Sequence, residues 1–247
     1  MIMEFDMDRK AYIKNKFEEF GITLSDRQAE QFDEYASLLV EWNSFMNLTA
    51  ITEFEEIVEK HFIDSLALSL MKNVSRETSG KSMIDVGTGA GFPGIPLKIV
   101  YPELEVTLLD SLNKRVKFLN EVIGKLGLEG ITAIHGRAEE AARKPELREQ
   151  FDLCVSRAVA NLSTLSEYCL PFVKEGGMFI SYKSEKIQEE VLKAEKAITI
   201  LGGKVERQVE FMLPDSDIYR NLFVIKKMKK TPGKYPRKAG LPSKEPL

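Results

Sequence analysis

Residues 85–94 place four glycines and a carboxylate in one short stretch of chain. The segment reads Asp-Val-Gly-Thr-Gly-Ala-Gly-Phe-Pro-Gly and overlaps the short apolar run MIDV. Glycines let a ligand approach the backbone closely, and open α/β sheets bind their ligands at the carboxyl ends of strands. The pattern predicts a loop that binds a nucleotide-containing cofactor.

Two cofactor classes fit this loop. The glycines from Gly89 to Gly94 match the dinucleotide fingerprint, and Asp110 follows at about the 20-residue distance expected for an acid that binds a ribose. This pattern would make the chain an NAD-dependent oxidoreductase. Asp85, however, lies just ahead of the glycines, where its charge would repel a pyrophosphate but could hold the ammonium group of S-adenosylmethionine through the loop's backbone or a water. S-adenosylmethionine is therefore favoured, and the dinucleotide remains the alternative.

Asp110 ends the apolar run VTLLD and is the acid that we expect on the ribose hydroxyls. A carboxylate accepts two charge-assisted hydrogen bonds from a cis-diol. The competing interpretation is a strand-end cap for the helix that follows. Its place at the end of a strand facing the crevice favours the ligand role.

Arg157 is the candidate catalytic side chain. A guanidinium at a strand end beside the glycine loop could bind a cofactor carboxylate or an RNA phosphate, and an ordinary surface ion pair is the alternative. The sequence offers no general base that stands out and no cluster of metal ligands. Cys154 and Cys169 lie in apolar stretches, where buried inert thiols are the common case.

The elements that must position these residues begin with a helical region over residues 1–75. Ser25 and Gln28 suit a capping box before an apolar face with i, i+3, i+4 spacing, and a second helix is expected over Glu53–Lys72, followed by a linker at Ser75–Gly80. Residues 76–228 alternate short apolar runs with helical segments, which predicts a mostly parallel sheet. The last two strands have a short connection, which requires antiparallel pairing and places one reversed strand at an edge.

The charge is distributed unevenly along the 247 residues. The net charge is −3, but residues 226–247 hold eight Lys or Arg against one acid, together with four of the ten prolines. Proline excludes a helix interior and a central strand, so we expect residues 229–247 to form an extended basic tail suited to a polyanion. No apolar run is long enough to span a membrane, and two cysteines exclude a disulfide framework; a cytoplasmic protein is expected.

Several segments together carry a family resemblance. They are NLTAI (47–51), HFIDSL (61–66), DVGTGAGFPGIPLKI (85–99), LLDSLNKRVKFL (108–119), GRAE (136–139), SRAVA (156–160) and TPGKYPRKAGLP (231–242). Together they resemble the bacterial small-subunit ribosomal RNA guanine-N7 methyltransferases, the glucose-inhibited division protein B family. The resemblance covers nearly the whole chain, and its FPGIP and KYPRKAG segments are more specific than the glycine pattern.

The resemblance implies a class I S-adenosylmethionine-dependent methyltransferase fold, Rossmann-like, with a seven-stranded sheet. It also implies methyl transfer to N7 of a guanine in 16S ribosomal RNA, near the decoding region. The cofactor contacts that it implies fall on Gly87, Phe92, Asp110, Ser111, Leu112, Ala138, Glu139 and Arg157, and we expect Gly89 and Gly91 to shape the same loop. A non-enzymatic RNA-binding assembly factor that kept this fold is the third hypothesis.

The RNA side is predicted less directly. Positions in family motifs, and the need for donors toward phosphates and base edges, suggest Asn47, His61, Asp64, Lys114, Arg137 and Arg220. For His61 a helix-packing role is the alternative. We expect a monomer that binds 16S ribosomal RNA or the small ribosomal subunit, in which removal of residues 229–247 weakens RNA binding and leaves cofactor binding unchanged.

Overall fold

The computed structural model describes residues 8–70, 80–157, 160–184, 188–213 and 216–247. It contains nine α-helices in these ranges. They are α1 (Arg9–Glu19), α2 (Asp26–Met46), α3 (Phe54–Ile57), α4 (Gly94–Val100), α5 (Asn113–Leu126), α6 (Ala138–Ala141), α7 (Leu162–Cys169), α8 (Gln188–Ile200) and α9 (Leu241–Lys244). In these ranges, no helix is long and apolar enough to cross a membrane.

The N-terminal region is helical, as predicted. Ser25 caps α2 through the expected capping box with Gln28. The second predicted helix is more irregular than its sequence suggests, because α3 continues into a π-helical turn at Val58–Ile63 and a 3₁₀ segment at Leu66–Leu70. Residues 71–79, which include most of the predicted linker, lie outside the described residues.

Seven strands form one sheet in the order β3-β2-β1-β4-β5-β7-β6. They are β1 (Ser82–Val86), β2 (Glu105–Asp110), β3 (Ile131–His135), β4 (Phe151–Ser156), β5 (Val173–Lys183), β6 (Gly203–Met212) and β7 (Tyr219–Lys227). The seven-stranded, mostly parallel sheet is confirmed. The reversed strand β7 pairs antiparallel with both β5 and β6, so it lies one strand in from the margin and β6 is outermost.

Apolar side chains cover both faces of the sheet. One buried cluster is continuous from Ile13 and Phe32 in the N-terminal helices to Leu108 and Val224 in the sheet. A second cluster packs α7 and α8 on the opposite face. The helical region therefore shares a core with the sheet, and the domain boundaries after residues 75 and 228 stay a prediction.

The C-terminal tail is docked on the core, so the prediction of an extended arm that forms no helix is wrong. Near its end the tail forms the one-turn helix α9, whose second residue is Pro242. Proline is tolerated in the first turn of a helix, where its missing N–H has no intrahelical partner to lose. Tyr235 and Pro236 are buried, because the core supplies both an apolar surface and hydrogen-bond donors to the tail's carbonyl groups.

Candidate functional site

The glycine loop is tied to the carboxylate of Asp85 at the end of β1. Asp85 is fully buried, and its Oδ2 accepts hydrogen bonds from Thr88 Oγ1 at 2.6 Å and from the Gly94 backbone N–H at 2.9 Å. Burial raises the pKa of Asp85 to about 6. The carboxylate lies beneath the loop and fixes its shape, while no donor in the described residues reaches its Oδ1.

Gly94 is the position in this loop with the least room. A Cβ there would lie 2.4 Å from Leu108 Cδ2 and 2.9 Å from Asp85 Oδ2. We expect Gly94→Ala to lower the free energy of unfolding by about 1–3 kcal/mol, the usual cost of overpacking. If the loop binds S-adenosylmethionine as the sequence predicts, the substitution should also weaken that binding about tenfold, as measured by calorimetry.

Gly124→Ala is the control for this substitution. A Cβ at Gly124 has no atom within 4 Å among the described residues, and alanine is favoured over glycine inside a helix by about 0.5–1 kcal/mol. The control should be at least as stable as the wild type and bind the cofactor equally. Equal stability and cofactor affinity in both variants would contradict the steric argument.

Asp110 joins the glycine loop to the start of α5. Its Oδ2 accepts the Gly89 N–H and its Oδ1 accepts the Leu112 N–H, both at 2.9 Å. Arg115 Nη1 lies 3.4 Å from Oδ2. Each carboxylate oxygen has two lone pairs, so Oδ1 can still accept a hydrogen bond from a ligand. Asp110 thus binds the residue before α5 but does not cap the helix, which has no side-chain cap, and it retains capacity for a ribose hydroxyl.

A cavity of about 350 Å³ opens beside this loop. Its lining combines strand ends with α6, α7 and the tail: Val86, Gly87, Leu109, Ser111, Gly136, Arg137, Ala138, Glu139, Ala160, Leu165, Tyr168, Gly240 and Ser243. Five residues singled out from the sequence meet here, namely Gly87, Ser111, Arg137, Ala138 and Glu139. Leu112, next to Ser111 in the chain, is 42% exposed. Arg137, predicted on the RNA side, therefore lines the cavity.

Arg157 belongs to a second group of predicted residues, around Asp64. Asp64 is 3% exposed. Its Oδ2 accepts a hydrogen bond from Arg157 Nη1 at 3.0 Å, and its Oδ1 accepts one from Arg220 Nε at 2.7 Å. The carboxylate is therefore a buried bridge between two arginines, and its burial does not fit the predicted direct contact with RNA.

Phe92 connects the glycine loop to this second group. Its ring stacks on His61 with centroids 4.5 Å apart and on Tyr35 with centroids 5.4 Å apart. The Arg157 guanidinium carbon lies 5.0 Å from the centroid of the Phe92 ring, within the range of a cation–π contact. The Arg157 guanidinium thus lies over the ring of Phe92, a residue of the glycine loop.

His61 is held as a neutral acceptor. Arg157 Nη2, which can only donate, lies 3.3 Å from His61 Nδ1, and Thr49 Oγ1 lies 2.8 Å from His61 Nε2. The proton is therefore assigned to Nε2, which donates to Thr49. Burial and the Arg157 charge lower the pKa of His61 to about 3, so the helix-packing alternative describes this histidine better than a contact with RNA phosphates.

The free energy of unfolding should depend on pH through His61. Because its pKa in the fold is about 3, below the ordinary value of 6.5, the unfolded chain binds this proton more readily. The stabilising contribution is complete above about pH 6.5 and is lost as the pH falls toward about 3. Urea unfolding between pH 7.5 and pH 4.5 should show that His61→Gln loses less stability than the wild type.

His135→Gln provides the control for this pH experiment. His135 is the other histidine of the chain and is exposed. This variant should follow the wild-type curve. A His61→Gln curve parallel to that of the wild type would contradict the assigned neutral state.

Asn47 and Lys114 lie together at the far end of α2. Asn47 ends this helix with a left-handed conformation, at φ 52°, and Lys114 Nζ donates to the carbonyl of neighbouring Met46 at 3.2 Å. Both residues are exposed, in contrast to Asp64 and His61. They therefore remain available to a phosphate backbone.

The sequence interpretation missed several residues of the site. Tyr35 donates a hydrogen bond to the Ala90 carbonyl of the glycine loop, and Tyr168 lines the cavity with Gly240 and Ser243. The helical spacing of α2 had indicated only that Tyr35 faces the core. The tail residues belong to the TPGKYPRKAGLP segment of the family resemblance, but the charge of this segment predicts an RNA contact and not a place at the cavity.

Both cysteines are fully buried. Burial raises the pKa of the Cys154 thiol well above its ordinary value. A thiol kept protonated is a poor nucleophile. These surroundings favour the structural role that the sequence predicted.

The strand order and the glycine loop at the end of β1 define the class I S-adenosylmethionine-dependent methyltransferase fold. Two solved structures share this fold at low sequence identity. A complex of the Haloferax volcanii Trm112 methyltransferase activator with a methyltransferase aligns over 77% of this chain and 98% of that chain, with 15% identity and a TM-score of 0.55. A mutant of MtNAS in complex with S-adenosylmethionine aligns over 89% of this chain and 78% of that chain, with 16% identity and a TM-score of 0.53.

Sequence comparison defines the family within this fold. Residues 28–219 match the family described as rRNA small subunit methyltransferase G. A protein of this name from Lachnoclostridium phytofermentans is 60% identical, over 92% of this chain and 93% of the relative. Another, from Alkaliphilus metalliredigens, is 54% identical, over 98% and 100%. The chain belongs to the rRNA small subunit methyltransferase G family, and the comparisons give no support to the NAD-dependent alternative.

Proposed function

We propose that this protein transfers a methyl group from S-adenosylmethionine to N7 of a guanine in 16S ribosomal RNA. The observation that carries the proposal is the cavity at the carboxyl ends of β1–β3, which Gly87 of the glycine loop, Ser111 and Glu139 line. It lies in a chain 60% identical to a small-subunit ribosomal RNA methyltransferase. The proposed reaction takes place in the cytoplasm, where small subunits are assembled, and needs one copy of the chain.

The residues present fit the cofactor. Gly94 lies against Leu108 and Asp85 without room for a side chain, which is the close packing that a cofactor loop requires. Asp110 can accept from a ribose hydroxyl, and Gly87, Ser111, Ala138 and Glu139 surround the space for the adenosine half. Arg157, at 20% side-chain exposure, could donate to the carboxylate of the methionine half.

Methylation of guanine N7 requires alignment of N7 with the methyl group of the cofactor more than it requires proton transfer. S-adenosylmethionine, when bound, supplies a methyl group on a positively charged sulfur. Guanine N7 attacks that methyl carbon with its own lone pair, the carbon–sulfur bond breaks, and no proton has to leave N7. Orientation of reacting groups can contribute roughly 7–11 kcal/mol, so the site needs no general base. The neutral state of His61 agrees with a role in holding Arg157.

The exposed cations support an RNA substrate. Arg137 lies at the cavity, and Lys114 and Asn47 lie at the end of α2, all three exposed. The tail adds five exposed lysines, at positions 229, 230, 234, 238 and 244. Because the deep major groove of paired RNA hides N7 from side chains, the target guanine is expected in a loop or a splayed strand. Specificity then comes from the shape of the RNA.

Transfer of labelled methyl groups to small ribosomal subunits that lack this modification tests the proposal. We expect label at one guanine, at N7, identified by chemical cleavage of the RNA at N7-methylguanine. Extracted 16S ribosomal RNA, tested in parallel, shows whether the assembled subunit is needed. Cofactor binding without transfer to either substrate would exclude this acceptor and favour the assembly factor, whereas binding of NAD in place of S-adenosylmethionine would restore the oxidoreductase.

A further inference from the structure

The last 17 residues of the chain are bound to the core at intervals along their length. Arg148 donates to the carbonyls of Thr231 at 2.8 Å and Tyr235 at 2.9 Å. Farther along, Thr164 Oγ1 donates to the Pro242 carbonyl at 3.0 Å and Ser163 Oγ to a backbone oxygen of Leu247 at 2.9 Å. The core thus satisfies the tail's carbonyl groups at both ends of the segment.

A buried ion pair holds the middle of the tail. Arg237 donates to Glu167 through Nε at 2.9 Å and Nη2 at 2.7 Å, and its backbone N–H donates to the same carboxylate at 2.7 Å. Glu167 lies on α7 and is fully buried. A buried carboxylate needs a partner of this kind, and the described residues supply it from the tail.

Three residues beyond this pair, the tail reaches the cavity. The Gly240 backbone N–H donates to Glu139 Oε1 at 2.8 Å, and Gly240 has a φ of +81°, a conformation that glycine adopts without strain. Gly240 and Ser243 are among the residues that line the cavity, together with Ala138 and Tyr168. The tail therefore forms part of the cavity wall and fixes the carboxylate of Glu139.

We propose that residues 237–243 are a wall of the cofactor cavity, and that Arg237 and Glu167 are positioning residues that set cofactor affinity by holding this wall in place. This inference rests on the proposed function, since it takes the ligand of the cavity to be S-adenosylmethionine. It replaces the expectation that the tail serves RNA binding alone. By linkage, a bound cofactor stabilises the docked tail as much as the docked tail favours the cofactor.

Calorimetric titration with S-adenosylmethionine tests the wall directly. We expect a chain that ends at Ala239, which keeps the Arg237–Glu167 pair but removes Gly240 and Ser243, to bind at least tenfold more weakly. Arg237→Gln combined with Glu167→Gln, which removes both charges together, should weaken binding to a similar extent. Lys238→Ala, an exposed neighbour of Arg237, is the matched control and should stay within twofold of the wild type.

Binding of cofactor fragments shows whether the adenosine half or the methionine half of S-adenosylmethionine contacts residues 237–243. The tail lines the side of the cavity formed by Ala138 and Glu139, so the truncation should weaken 5′-methylthioadenosine, which retains the adenosine half, by the same factor. A folded truncated chain with wild-type affinity for both ligands would overturn the inference and leave the proposed function intact. A wild-type protein that binds neither ligand would instead refute the proposed function.

Proteolysis gives a second measurement on the unaltered chain. Lys238 and Lys244 are exposed and offer trypsin sites in the docked segment. Saturating S-adenosylmethionine should slow cleavage at these two lysines severalfold and leave cleavage at Lys125, an exposed residue at the end of α5, unchanged. Equal cleavage rates at Lys238 with and without the cofactor would contradict the linkage, even if the variants failed to fold.

Discussion

Asp110→Ala is expected to weaken S-adenosylmethionine binding at least 100-fold, which corresponds to about 2.7 kcal/mol. The substitution removes the proposed ribose acceptor. It also takes away the acceptor for the Gly89 and Leu112 backbone N–H groups, which are only part-buried, and each such hydrogen bond contributes about 0.5–1.5 kcal/mol. The variant therefore lacks both the hydrogen bonds that connect the glycine loop to the start of α5 and the proposed acceptor for the ribose hydroxyl. Calorimetry measures the affinity, and urea unfolding separates it from stability.

Asp152→Ala is the matched control for Asp110→Ala. Asp152 lies near the start of β4, at the opposite edge of the sheet, and likewise accepts a backbone N–H, from Ser82 at 3.1 Å. This control should lose stability but keep wild-type cofactor affinity. Asp110→Asn should fall between the wild type and the alanine variant, because one oxygen acceptor remains. Comparable cofactor affinities for Asp110→Ala and Asp152→Ala would rule out a ligand role for Asp110.

Asp64→Ala is expected to lower the free energy of unfolding by about 3–5 kcal/mol, the usual result of breaking a buried ion pair by removing one partner. The carboxylate is 3% exposed and separates two guanidinium groups, which would then repel each other with little water to screen them. Arg157 would also lose one of the contacts that hold it over Phe92. Methyl transfer should therefore fall more than cofactor binding, since the placement of the reacting groups is disturbed. Urea unfolding and single-turnover transfer measure the two effects.

Asp33→Ala in α2 is the control for Asp64→Ala. Asp33 pairs with Arg9 at 2.8 Å, but both side chains are about a third exposed, and such surface pairs contribute at most about 1 kcal/mol. Asp64→Asn should resemble Asp64→Ala in stability, because an amide cannot neutralise two cations. If Asp64→Ala lowers the free energy of unfolding by less than about 1 kcal/mol, the two arginines are hydrated in the variant. Asp64 is then not needed to hold Arg157 in position.

Local sequence patterns predict the glycine loop, the helix capped by Ser25 and the alternation of strands and helices. These features depend on backbone conformation and on side-chain periodicity among near neighbours, so they can be read from a single chain. The motifs spread from residue 47 to residue 242 also determined the family. The family resemblance implies cofactor contacts at Gly87, Ser111, Ala138 and Glu139, and these four residues line one cavity.

The contacts of the charged residues depend on the packing of the whole fold. Asp64 meets an arginine 156 positions away, and Glu139 meets a glycine 101 positions away; no local pattern encodes such pairs, because they depend on how the elements pack. The contacts of the basic tail likewise cannot be predicted from its local sequence. Its composition indicated a solvated arm for a polyanion, but the buried carboxylate of Glu167 binds Arg237 and brings the segment against the cavity.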